Sequence, residues 1–148
     1  MGRDTRHYPG EERFSTATSG ATAVEFAMLA PLYLLLFLGM TAYGIFFGAS
    51  HSVQQLAADS ARAAIAGLDS TERRQLAEGY IARNASGYLF IDPAKLQVRV
   101  GDSPADPNQF DVEVSYDARN LPIWGLFDRL AMPDTTISRR STIRIGGM

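Results

Sequence analysis

Residues 26–49 carry no charged side chain. The run reads FAMLAPLYLLLFLGMTAYGIFFGA, and about 20 apolar residues in succession match a hydrocarbon core roughly 30 Å thick. The sequence therefore predicts a membrane-spanning helix over these residues. Glu25 stands at the upstream edge of the run. An ionisable group at that depth costs free energy, so by default it points to function.

A chain of 148 residues has room for one membrane helix and one small domain of about 100 residues. The formal net charge of -2 offers no basic excess, so nucleic acid is not an expected partner. Cysteine is absent, which excludes a disulfide framework, a thiolate metal site and a cysteine nucleophile. His7 and His51 fall on opposite sides of the apolar run, so no histidine-based metal site is expected within one subunit.

Upstream of the run, residues 1–20 are polar, with Arg3, Arg6 and Arg13 balanced by Asp4, Glu11 and Glu12. No apolar period appears there, and the segment reads as a disordered leader. It differs from a secretory signal, whose small-residue cleavage site follows its apolar core. Here the candidate processing point, Gly20, precedes it. Within the run, Pro31 removes a backbone donor and is expected to bend the helix. Gly44 and Gly48 form a GxxxG match, a spacing that lets two membrane helices approach closely. Small residues are also frequent in membrane helices without that role.

The helix is expected to continue past the membrane over residues 21–67. Val53, Leu56, Ala57, Ser60, Ala61, Ala64, Ile65 and Leu68 recur at helical spacing, with Gly67 as the stop. A second helix follows, with Asp69 as N-cap and Glu72 three residues on. Leu76, Ala77, Tyr80 and Ile81 give its apolar face, and Gly87 is its expected end.

The period then changes to two. Residues 95–100 place Leu96, Val98 and Val100 on one face, and residues 110–117 do the same with Phe110, Val112, Val114 and Tyr116. Antiparallel pairing of Val100 with Phe110 would set Arg99 opposite Asp111, an opposite-charge pair worth about 0.2–1 kcal/mol. The connection 101–109 is rich in turn residues. A third strand over 135–145 puts Ile137, Ile143 and Ile145 together, with Arg140, Thr142 and Arg144 opposite. The segment NLPIWGLFDRLAMP between strands two and three holds Leu121, Ile123, Trp124, Leu126, Phe127, Leu130 and Met132. It could form an exposed contact patch. The favoured reading is that it covers the sheet, because three strands need cover to be stable. The expected fold is α+β: a long helix, partly transmembrane, packed on a small antiparallel sheet, with residues 68–148 as a small domain.

No catalytic set can be nominated. Asp102, Asp106, Asn108 and Asp111 are the best candidates for a calcium loop, but they lack the DxDxDG spacing, and solvation of a loop explains them more simply. The expectation is a protein without enzymatic activity, cofactor or metal.

The residues Gly20-Ala21-Thr22-Ala23-Val24-Glu25-Phe26 resemble the processing site of a type IV pilin-like precursor: a glycine, a small residue that becomes the new N-terminus, and Glu at the fifth mature position beside an aromatic. With the Ala-rich HSVQQLAADSARAAIAG that follows, the stretch resembles the TadE-like family, pseudopilins of the tight-adherence (Tad, or Flp) pilus system. The tail ending in TTISRRSTIRI looks similar more loosely. The resemblance implies a pilin-like fold and cleavage between Gly20 and Ala21 by a prepilin peptidase on the cytoplasmic side. It implies recognition and assembly roles for Glu25 and Phe26. It also implies partnership with membrane lipid, other pilins and pseudopilins, and the Tad assembly platform in the inner membrane. The leader is electrically balanced, so the cytoplasmic N-terminus rests on the resemblance more than on charge.

Independently of the family, cleavage would free an ammonium at Ala21 four residues before Glu25, a partner for a carboxylate that is otherwise disfavoured in an apolar setting. The alternative for Glu25 is a snorkelling residue that marks the membrane edge. The leading function is a minor pilin or pseudopilin acting in pilus assembly and surface adhesion. The competing one is an uncleaved, single-pass, membrane-anchored periplasmic binding module.

Overall fold

The computed structural model describes residues 12–125 and 133–145, with side-chain burial from Gly20 onward. The long helix α1 (Glu12–Ala64) runs through two separately compact units, residues 1–40 and 41–148. It starts inside the segment whose composition reads as disordered. Residues 13–19 contain no proline or glycine, and adding residues to an existing helix is far easier than nucleating one. Pro31 sits inside α1 without ending it.

In the first unit, residues 20–40 bury no large side chain. Phe26, Met28, Leu34 and Phe37 are each more than half exposed. An apolar surface of this size is stable only against lipid or another protein, and the helix is long and apolar enough to cross a membrane.

The second unit carries the core. From α1 it takes Ala42, Ala49, Val53, Leu56, Ala57, Ala61 and Ala64. Their spacing keeps them on one side of a helix. Against this mostly alanine stripe the protein sets Phe110, Val112, Val114 and Tyr116 from the middle strand and Ile137 from the third. Small residues on the helix face large ones on the sheet, a combination that fills the space between layers without voids. Ser60, the polar member of the stripe, is fully buried. Its hydroxyl donates to the carbonyls of Leu56 (2.8 Å) and Ala57 (3.0 Å), so no polar atom is orphaned.

Two residues expected in that stripe are outside it. Ile65 and Leu68 are 63% and 89% exposed. The reason is that α1 ends at Ala64, after which the chain tightens, with the Ile65 amide donating to the Arg62 carbonyl. Helical periodicity no longer applies beyond that point.

Helix α2 (Ser70–Asn84) follows directly. The Asp69 carboxylate accepts from the Glu72 amide at 2.8 Å, and the Glu72 carboxylate in turn accepts from the Leu68 amide at 2.8 Å. Two otherwise orphan donors at the helix start are thereby satisfied. Ala77 and Ile81 are buried, as their spacing predicts, and α2 gives way to a 3-10 turn that ends at Gly87. Gly67 is set by close approach: a Cβ there would lie 2.7 Å from the Arg73 amide nitrogen. Gly67→Ala is expected to destabilise the second unit by about 1–3 kcal/mol, the usual cost of forcing backbone apart. Urea titration of the full-length protein in detergent checks this; an unchanged midpoint would refute it.

The sheet is antiparallel in the order β1 (Leu96–Asp102), β2 (Gln109–Asp117), β3 (Thr136–Arg144). The inward and outward faces are those the alternation predicts, but the β1–β2 register differs. Val100 pairs with Val112, Arg99 with Glu113 and Asp102 with Phe110. The strands therefore extend further, and the connection shortens to residues 103–108. It is closed by the Ser103 amide on the Gln109 carbonyl and the Gln109 amide on the Asp106 carbonyl. On the outer face the acids meet Arg140 of β3, 3.3 Å from Glu113 and 3.8 Å from Asp111.

After β2, Asp117 caps a short turn. Hydrogen bonds from the Arg119 side chain and backbone hold its carboxyl at about 2, below the usual carboxylate range. Leu121 and Ile123 are buried, and the Trp124 indole donates to the Ala118 carbonyl. This part of the segment covers the core. Leu126, Phe127, Leu130 and Met132 lie outside the described residues.

Candidate functional site

Gly20, Ala21, Glu25 and Phe26 all lie on α1, and all are exposed. The helix continues unbroken across them. Ala21 and Glu25 are thus one turn apart on the same helix face, about 6 Å along the axis at 1.5 Å per residue. Gly20 is notable for what surrounds it. A Cβ there would meet nothing within 4 Å, although a glycine inside a helix costs about 1 kcal/mol relative to alanine. Packing among the described residues gives no reason for it.

The two glycines of the GxxxG match have different surroundings. Gly44 is exposed with open space above it. At Gly48 an added Cβ would stand 2.9 Å from Cε2 of Phe90, so an aromatic ring of the same chain occupies that face. Phe90 has φ 62°, a backbone conformation that bulky residues rarely adopt. Periodicity gives no hint of this contact, which joins positions 42 residues apart in sequence and depends on one unusual dihedral.

Beyond Gly48 the helix turns polar, and a cleft of about 550 Å³ opens between α1 and the end of α2. It is lined by Gly48, His51, Gln55, Tyr80, Asn84 and Tyr88, among others. At its edge the Tyr88 hydroxyl donates to Asp59 at 2.7 Å and lies 3.2 Å from the Tyr80 hydroxyl. Since Tyr88 spends its proton on Asp59, Tyr80 is the donor to Tyr88. Burial first, and then these two hydrogen bonds, push the Tyr88 phenol above its ordinary value. Asp59 is also 2.8 Å from Arg62. This chain of groups ties the segment after α2 back to α1. The connection is not legible in the sequence, because Asp59 and Tyr88 are 29 residues apart.

The acids considered for calcium are held in other ways. Asp106 accepts from the Asn108 amide, and Asp111 faces Thr142 and Arg140 on the outer sheet face. Among the described residues, no three His, Cys, Asp or Glu side chains converge as metal ligands would.

A helix that is apolar and exposed at its start and, further along, packs by an alanine stripe on a small antiparallel sheet defines the class of the chain as α+β. Residues 20–62 match the family model described as TadE-like protein, so this segment of the chain is similar to the TadE-like family. The match starts at Gly20 and takes in most of the alanine stripe. Neither the curated proteins nor the solved structures yield a match.

Proposed function

We propose that this chain is a minor pilin or pseudopilin of a Tad (Flp) type IV pilus. A prepilin peptidase removes residues 1–20, and residues 26–49 anchor the product in the inner membrane with its α+β domain on the extracytoplasmic side. It acts with other pilins and the Tad assembly platform in pilus assembly, and through the pilus in surface adhesion. The role is structural rather than catalytic.

The observation that carries this reading is Gly20. Like Gly39 and Gly44 it has open space around it in α1, and its place sets it apart: immediately before a small residue and five positions ahead of Glu25 at the edge of the apolar run. A peptidase that must bring the backbone close to its catalytic groups supplies the missing reason, because glycine permits close approach of backbone. The test is the N-terminus of the protein in piliated cells. Mass spectrometry is expected to find a chain beginning at Ala21, and Gly20→Leu is expected to leave nearly all of the protein at full length. An intact leader on the wild-type protein in such cells would overturn the proposal.

A further inference from the structure

We propose that residues 89 and 90 form an additional membrane contact, with Leu89 and Phe90 entering the lipid interface beside the downstream end of the apolar run. The inference rests on the reading of residues 26–49 as membrane-spanning and goes beyond it. It assigns a lipid-facing site to the folded domain itself.

Four observations carry it. Phe90 rests on Gly48, one residue before the apolar run gives way to Ser50-His51-Ser52. The loop is therefore level with the point where α1 would leave hydrocarbon. Leu89 is 65% exposed and Phe90 40%, an arrangement that water alone does not favour. Phe47 and Tyr43 are exposed on the neighbouring stretch of α1, so the loop extends an apolar surface that calls for cover, and Tyr43 is of the amphipathic aromatic type that collects at membrane interfaces. Finally, the left-handed backbone of Phe90 is disfavoured, and such conformations persist where the surroundings over-determine them. Here Gly48 admits the ring, and the Tyr88 hydroxyl fastens the root of the loop to Asp59. Leu89 also lines the near end of the cleft, and directly beyond it α1 carries the polar side chains of His51 and Gln55, which set the downstream limit of the apolar surface.

The occupant is lipid rather than a second protein because the exposed residues are continuous with the run whose apolar character calls for a bilayer. The absence of cysteine makes the test direct. Single cysteines are placed at Leu89, at Leu36 within the run and at Pro104 in the exposed β1–β2 connection. Each full-length variant is labelled with a small environment-sensitive fluorophore and reconstituted in phosphatidylethanolamine–phosphatidylglycerol vesicles carrying brominated acyl chains. The expected result is loss of most of the fluorescence at positions 36 and 89, with none lost at 104. Quenching at 36 with position 89 behaving like 104 would overturn the proposal and leave the anchor standing. A blue-shifted but unquenched label at 89 would also overturn it, since a protein neighbour would then cover the loop. Absence of quenching at 36 would bring down the membrane-spanning reading, and this inference with it.

Discussion

Glu25→Gln is expected to leave the protein in the membrane at normal levels and to abolish its incorporation into pili. The substitution keeps the shape of the side chain and removes the charge, and the uncharged run that would drive insertion is untouched. With the proposed cleavage, the Ala21 ammonium would lie one helical turn from Glu25, and the amine of a neighbouring subunit would be a second candidate partner for the same carboxylate. At 4 Å such a pair attracts by ~1 kcal/mol in water and ~4 kcal/mol at an effective dielectric of 20. Desolvation subtracts from both figures. On the proposed function, the pair would neutralise a charge that has to enter an apolar assembly and would set axial register. The measurement is the amount of protein in sheared pili against the amount in the membrane fraction. Normal pili containing the variant at wild-type levels would reduce Glu25 to an interfacial marker.

Phe110→Ala is expected to cost about 3–5 kcal/mol, the usual range for removing a buried aromatic from a core. Phe110 has no exposed surface and lies on the central strand, between Asp102 of β1 and Ile143 of β3. Small domains are stable by about 5–15 kcal/mol in total, so the variant should stand close to unfolding. Ile65→Ala supplies the contrast. Ile65 was expected in the core and is largely exposed, so its loss should stay within about 0.5 kcal/mol. Denaturation of the full-length proteins in detergent, followed by fluorescence of Trp124, the one tryptophan, separates the two. Equal shifts of the midpoint would mean that the stripe extends past Ala64 after all.

These two residues also show where local pattern stops being informative. Phe110 belongs to an alternating strand, and alternation depends only on neighbours in the chain. Ile65 belongs to a helical period that holds as long as the helix does, and the helix ends one residue earlier. The β1–β2 register makes the same point from another side. Side chains on a strand alternate with a period of two, so sliding one strand by two residues leaves every apolar residue on its original face. Pairing Val100 with Phe110 and pairing it with Val112 therefore satisfy the sequence equally well. The six-residue turn 103–108, closed by its own backbone hydrogen bonds, selects the second.

What the sequence by itself determined is everything that follows from local chemistry. That comprises the uncharged run with Glu25 at its edge, the glycine and small residue before it, the Asp69 cap, and the apolar faces of α2 and the three strands. Each of these is set by residues within a few positions of one another. Only the tertiary structure decided the strand register, the hydrogen bonds joining Tyr80, Tyr88 and Asp59, and the seating of Phe90 on Gly48. The physical reason is common to all three. They are contacts between residues far apart in the chain, chosen by which surfaces fit at close range, and neither hydrophobic period nor turn propensity carries information at that separation.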